Sequence, residues 1–330
     1  MITDIRKPRL KGLSKKHPTF ETASSTRHGD LCMRRFVSRS LFDNKPKGFL
    51  YLLPALVIYI CFFIIPVTKT FISSFFTFPT TSERTFVWFA NYAELLKDEL
   101  FWLSLKNNGI MIFYMMVVPG IFGLILATVF EISNPKAGKL FEVSFFMPQI
   151  LSLVVVGVIW KWIYNPVFGI LNRLLVLAGF DNSGQAWLGS TKTAIHAVGF
   201  TGIWVNYGFA MVIFLAGYKR IPKSFFEAAA LDGAGFWRKF FYISLPSLRG
   251  EISVVFTYLF IQALKTFDLI YVMTKGGPGN ATSVISLYVF KNAFQYDRLG
   301  YAASIAIYLL IFITLGSFLI DKVIKKRSYE

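Results

Sequence analysis

Five polar side chains interrupt otherwise apolar stretches of this sequence: Asn206 and Tyr207 after Trp204, and Gln262, Lys265 and Thr266 shortly before Asp268. A charge inside an apolar helix costs about 2.5–3.5 kcal/mol on insertion scales, so such a group faces protein or water and is either paired or functional. Lys265 has two readings. Three residues from Asp268 on one helix, it would form an ion pair near the outer end of that helix. Alternatively, with Gln262, Thr266 and Asn206, it lines a polar path in which an ammonium favours solutes carrying carboxylate or phosphate groups. Asn206 likewise serves either as an interhelical hydrogen-bonding residue or as a ligand. Tyr, Trp and Asn together suit a saccharide, because aromatic faces stack on sugar rings while amides pair with hydroxyls. Covalent and metal chemistry have no comparable support. His17, His28 and His196 are scattered, His196 being expected at an outer interface as a structural residue, and Cys32 and Cys61 alone make neither a disulfide framework nor a metal site.

These residues sit in long apolar runs. With 55% hydrophobic and 16% charged residues over 330 positions, the chain is too apolar for two soluble domains. Crossing about 30 Å of hydrocarbon takes about 20 helical residues, and six stretches qualify. They run from Phe49 into the Thr70 region, from Gly109 to Phe130, from near Val143, from Thr193 to Gly217, from Ile252 to about Thr274, and from Tyr301 to Ile320. Pro54, Pro66, Pro119 and Pro148 fall within them, which membrane helices tolerate where neighbours satisfy the freed carbonyls. The net charge of +17 is distributed unevenly. The tails and the loops at 131–142 and 218–251 hold 24 Lys and Arg against 8 in the intervening loops, which places both termini in the cytoplasm. The fold class expected is therefore all-α integral membrane with six transmembrane helices. Residues 1–48 form a basic tail, disordered or lying on anionic headgroups, residues 49–320 the helical domain, and residues 321–330 a short cytoplasmic tail. That placement of the basic excess accounts for it without nucleic acid, and the first apolar run is too long for a signal peptide.

The loop at 218–251 carries the most pattern. Ser224 with Glu227 three residues on has capping-box spacing, Pro222 lies just outside, Gly233 and Gly235 allow a sharp turn, and a second helix from about Phe236 to Pro246 bears Trp237, Phe240 and Phe241 beside Arg238 and Lys239. Two short amphipathic helices at a membrane surface either dock in a groove of a soluble partner or lie on lipid.

Glu227-Ala228-Ala229, three residues, Gly233, nine residues, then Ile243, Leu245 and Pro246 resembles the EAA signature of membrane subunits of binding-protein-dependent ABC importers. Trp160-Lys161-Trp162-Ile163-Tyr164-Asn165-Pro166 with Gly169 and Asn172, and Phe267-Asp268-Leu269-Ile270-Tyr271 through Thr274-Lys275-Gly276-Gly277-Pro278, are similar to segments of its sugar branch, which includes the maltose and glycerol-3-phosphate permeases. The resemblance covers residues 48–320; the basic tail is longer than the family suggests, and the large extracytoplasmic insert of the maltose subunit has no counterpart. It implies a non-catalytic permease subunit in a prokaryotic plasma membrane, paired with a second homologous permease, two ATP-binding cassette subunits and a solute-binding protein. Glu227, Ala228, Ala229, Asp232, Gly233, Ile243, Leu245 and Pro246 would then couple to the ATPase, with Glu227 in ionic contact with it. The chain would bind no cofactor, ATP and Mg belonging to the partner. Gly276-Gly277-Pro278-Gly279 lacks a following Lys-Ser/Thr and is no phosphate-binding loop. The competing reading is a stand-alone secondary transporter or channel, against which stand the absence of a visible repeat and the scarcity of buried acidic residues other than Asp268.

Overall fold

A computed structural model describes residues 45–78, 83–133, 138–180 and 184–326. The tail expected over residues 1–48 lies outside the described residues but for its last four. Two compact units are present, Met1–Pro66 and Val67–Glu330. The described part of the first comprises α1 (Lys45–Tyr59), which contains Pro54, and a π turn (Ile60–Ile64) across which the rings of Tyr59 and Phe63 stack at 5.1 Å. Helix α2 (Ile65–Ser73) leads into the second unit.

The second unit is helical apart from a two-residue antiparallel pair among the described residues, β1 (Phe76–Thr77) with β2 (Thr85–Phe86). Next come α3 (Ala90–Lys97), α4 (Glu99–Ile112), a π turn (Phe113–Val117) and α5 (Val118–Ser133). Helices α6 (Gly138–Ile150), α7 (Leu153–Ile163), α8 (Ile170–Leu177) and α9 (Ala194–Tyr218) follow. The loop then forms α10 (Lys223–Leu231), α11 (Phe236–Lys239), a π turn (Phe240–Ser244) and α12 (Leu245–Ser247). The chain ends with α13 (Arg249–Leu264), α14 (Asp268–Met273), α15 (Ile285–Phe294) and α16 (Leu299–Lys326).

Among the described residues, four helical runs are long and apolar enough to cross a membrane: Tyr51–Ser73, Glu99–Glu131, Ala194–Tyr218 and Leu299–Ile324. They coincide with the first, second, fourth and sixth stretches expected. The second starts ten residues earlier than Gly109, because the Asp98 carboxylate accepts from the amides of Leu100 (2.9 Å) and Phe101 (3.4 Å) and so caps a helix that hydropathy alone does not mark. The last runs six residues past Ile320. The third stretch is not one straight helix: α6 and α7 meet at 96°, the chain turning through Ser152 at φ −59° and ψ 133°. The fifth is interrupted as well. Helix α13 stops after 16 residues and α14 begins only at Asp268, so neither piece spans about 30 Å alone.

Three apolar clusters hold the second unit together. Ala127, Met211, Phe214, Leu248 and Leu259 join α5, α9 and α13 near the 218–251 loop. Met111, Val156, Trp160, Val198, Leu269 and Ile270 fill the middle, and Leu95, Phe101, Ile285, Tyr288 and Ile305 close the far end. Helix α9 is the axis of the packing, and its contact with α6 depends on one missing side chain. A Cβ on Gly208 would stand 1.9 Å from the Phe145 carbonyl oxygen. Gly208→Ala is therefore expected to abolish a well-folded species or lower its thermal unfolding midpoint in detergent by several degrees. Gly109→Ala, whose Cβ meets nothing within 4 Å on a helix, should be neutral or slightly stabilising. Equal midpoints for the two variants would refute the packing argument.

Candidate functional site

The loop between α9 and α13 is built of short helical segments joined by a turn at Gly233. Pro222 is the N-cap of α10, and no side chain caps that end. The expected Ser224–Glu227 capping box is thus not formed: Ser224 lies inside the helix, and a proline N-cap has no N–H for a box to use. The far end of α10 is strongly determined. The amide of Gly233 donates to the Ala230 carbonyl at 3.1 Å, and that of Ala234 to the Ala229 carbonyl at 2.8 Å. Gly233 itself sits at φ +71°. This is a Schellman end, which needs a left-handed residue at that position, and so supplies the sharp turn expected there. Gly235 is extended and starts α11.

The two faces of the loop differ. Phe226 and Ile243 pack onto the cluster around Phe214 and Leu248, whereas Leu231 is 90% exposed, Tyr242 81% and Trp237 67%. Ala228, Asp232 and Gly233 are exposed, and Ala229, Leu245 and Pro246 are half-buried. Between the loop helices and the adjoining ends of α5, α6 and α9 lies a cavity of about 700 Å³. Glu227, Lys223 and Lys239 line it from the loop, and Glu131, Glu142 and Lys219 from the helix ends. Lys219 and Glu142 pair across one edge at 3.7 Å, both partly solvated, so that contact contributes little.

The intramembrane residues are only partly brought together. Asn206 is buried and its amide donates to the Gly202 carbonyl at 2.8 Å. Thr266, also buried, donates to the Gln262 carbonyl (2.9 Å) and lies 3.0 Å from the Met115 sulfur. Met115 in turn packs against Gly202, the residue whose carbonyl Asn206 holds. Gln262 donates to the Tyr258 hydroxyl at 2.9 Å. Tyr207 stands apart, its ring between Phe122 and Phe145 at 5.5 and 6.0 Å. Lys265 is exposed at the C-cap of α13, and Asp268, also exposed, opens α14. The two do not share a helix and form no ion pair. The pairing expected from their spacing fails because the backbone leaves the helix between them. His196 is exposed, its Nδ1 3.1 Å from the Tyr114 hydroxyl.

Sequence reasoning missed the groups that hold this break. Asn108 donates to the Leu264 carbonyl at 3.4 Å and accepts from the Ile285 amide at 2.8 Å, while Ser286 donates to the Thr266 carbonyl at 2.5 Å. Asn107 donates to the Ser283 carbonyl at 2.8 Å, and Ser104 and Ser283 join their hydroxyls at 3.1 Å. The signal was an Asn-Asn pair one residue before an apolar run. The W-x-W segment is structural at its first tryptophan: Trp160 is in the middle cluster, Tyr164 donates to the Ala197 carbonyl, and Trp187 donates to Asn172 Oδ1 at 2.7 Å.

Residues 120–329 match the family described as binding-protein-dependent transport system inner membrane component. The probable ABC transporter permease protein YurN of Bacillus subtilis (strain 168) is 36% identical over 290 residues, 87% of this chain and 99% of the relative. The trehalose/maltose transport system permease protein MalF of Thermococcus litoralis is 34% identical over 285 residues, 86% of this chain and 94% of the relative. Among solved structures, a chain of a bacterial ABC transporter involved in the import of the acidic polysaccharide alginate superposes with a TM-score of 0.74 at 21% identity, over 87% of this chain and 99% of that one. This last likeness speaks for the fold.

With no ion pair to lose, Lys265→Met should leave the yield of purified protein unchanged and its unfolding free energy within about 0.5 kcal/mol of wild type, as for exposed positions generally. A loss on the scale of a broken buried pair, about 3–5 kcal/mol, would show that Lys265 is paired after all.

Proposed function

We propose, starting from the fact that this chain belongs to the family of binding-protein-dependent transport system inner membrane components, that it forms half of the translocation path for a saccharide in an ATP-driven importer. Membership makes it a multi-pass inner-membrane permease subunit, distinct from the subunit that hydrolyses ATP. The observation that carries the mechanism is the loop: two short helices, locked at Gly233, with one face seated on the span cluster and the other bare. Such an element suits a lever. Its bare aromatic face fits a cleft of an ATP-binding cassette subunit, where Ala228, Asp232 and Gly233 are exposed, and Glu227 is near enough to that surface to meet a basic side chain of the ATPase. Ile243, Leu245 and Pro246 return the chain to α13, so a displacement of the loop reaches the spans and shifts them between two states. ATP and Mg belong to those partners.

If the bent α6–α7 pair and the interrupted α13–α14 pair each make one span beside the four long helices, the count is six, and the charge asymmetry then supports both termini in the cytoplasm. A second homologous permease would complete the path, and an extracytoplasmic binding protein would deliver the solute. The trehalose and maltose transport named for the Thermococcus litoralis relative supports a saccharide. Within the path, Gln262 stands just before the break in the fifth span, Lys265 and Thr266 stand in it, and Asn206 and Tyr207 belong to α9. The solute is an oligosaccharide, with Lys265 open to an anionic one.

Reversal of the loop charge tests this reading. Glu227→Lys should insert and accumulate normally but lose solute-stimulated ATP hydrolysis in the reconstituted complex, measured over a panel of neutral and uronate-bearing saccharides. Normal stimulation in that variant would remove the coupling role.

Gly233 separates conformation from contact, because its Cβ would meet nothing within 4 Å. Gly233→Asn, tolerated in the left-handed region, should still co-purify with the ATPase. Gly233→Val should cost about 1 kcal/mol or more locally and release it. Equal retention by both variants would count against the turn.

A further inference from the structure

We infer that Asp98 is a positioning residue that ties the far end of the molecule to the break in the fifth span through a single turn of α15; this rests on the importer reading above. Asp98 collects four donors: the amides of Leu100 and Phe101 from its own helix, the Tyr301 hydroxyl on α16 at 2.5 Å, and the Tyr288 hydroxyl on α15. Burial alone would raise its carboxyl, but the hydrogen bonds from the two tyrosines and the two amides more than reverse this and hold it below the usual carboxylate range. It therefore stays ionised and bonded at any neutral pH.

The second half of the link lies on the same helical turn as Tyr288. Ile285 and Ser286 are the residues bound to Asn108 and to the Thr266 carbonyl, as described above. From Ile285 to Tyr288 the helix rises only about 4.5 Å and cannot bend over that length. A displacement of Tyr288 relative to Asp98 and α4 is thus delivered, through Ser286, to the Thr266 carbonyl at the break beside Lys265. On the other side, Tyr301 carries the Arg298 guanidinium over its ring at 4.3 Å, and Arg298 grips Glu94 through both carboxylate oxygens at 2.6 and 2.7 Å. Glu94 and Arg298 are both about half exposed, next to Phe294 at 76% exposure. On the proposed orientation this is the extracytoplasmic surface. A binding protein that engages Glu94 and Arg298 would act on Tyr301 and Asp98, and through Tyr288 on the break.

The test uses the full reconstituted complex with its binding protein. Asp98→Asn keeps a carbonyl for the two backbone amides and removes the charge, and Tyr288→Phe removes the hydroxyl alone. Each is expected to leave assembly and binding-protein-free ATP hydrolysis unchanged while lowering binding-protein-stimulated hydrolysis about tenfold, within the usual range of site-to-site coupling. The double variant should be no worse than either, since both cut the same link. Unchanged stimulation, losses that multiply in the double variant, or failure of both single variants to assemble would each overturn the inference. A wild-type complex that no binding protein stimulates would instead remove the importer reading, and this inference with it.

Discussion

Backbone amides and carbonyls inside an apolar layer have no water to turn to, and each one left unpaired there costs several kcal/mol. This chain breaks two of its apolar helices, at Leu151–Ser152 and at Lys265–Phe267, so its architecture depends on where the released groups go. At the second break the answer is internal: Asn108 takes the Leu264 carbonyl and Ser286 the Thr266 carbonyl. Neither α7 after the first break nor α14 after the second starts with a side-chain cap. The first-turn amides of any helix lack intrahelical partners, so that surface must meet water or another protein, and lipid cannot serve it.

The same requirement explains why the far end is so heavily cross-linked. A break satisfied by Asn108 and Ser286 works only while α4 and α15 keep their register, and that register is held by side chains, not by a covalent link. Ser104, Asn107 and Asn108 lie on one face of α4, and all three reach the segment 283–285. Asp98 adds a fixed point about one and two-thirds turns before Ser104. The 218–251 loop is built on the opposite principle. It has one apolar face on the span cluster and a Schellman end at Gly233, and its remaining aromatic surface is left for another molecule.

What could be read from the sequence follows from which signal each element carries. Helix α9 shows as an uninterrupted apolar run, and its observed ends differ from the expected Thr193 and Gly217 by one residue. The loop turn was legible because a left-handed C′ position is nearly a glycine monopoly. Helix α4 was cut short because the exposed Lys106 and the buried Asn107 and Asn108, which with Ser104 form a polar ladder, depress hydropathy there. The Lys265–Asp268 pair was misplaced for a related reason. Spacing of three residues implies proximity only on a continuous helix, and continuity is decided here by Asn108 and Ser286, more than a hundred and about twenty residues away respectively. Hydropathy and periodicity are local quantities, and the groups that permit a break are not.

Lys265 shows what that non-local decision does to the chemistry. At the C-cap of α13 its ammonium sits where the last carbonyls carry the negative end of the helix macrodipole, a position that favours a cation by about 0.3–1 kcal/mol at exposed sites. Asp98 occupies the complementary place at the N-terminus of α4. Both charges are thus partly balanced by the helices they terminate, and neither needs a counter-ion of its own. A cation balanced in this way exerts a weaker pull on an anionic solute than an isolated ammonium in a water-poor path would. On the path proposed above, hydrogen bonding and stacking on aromatic faces would then weigh more than charge in recognising a saccharide.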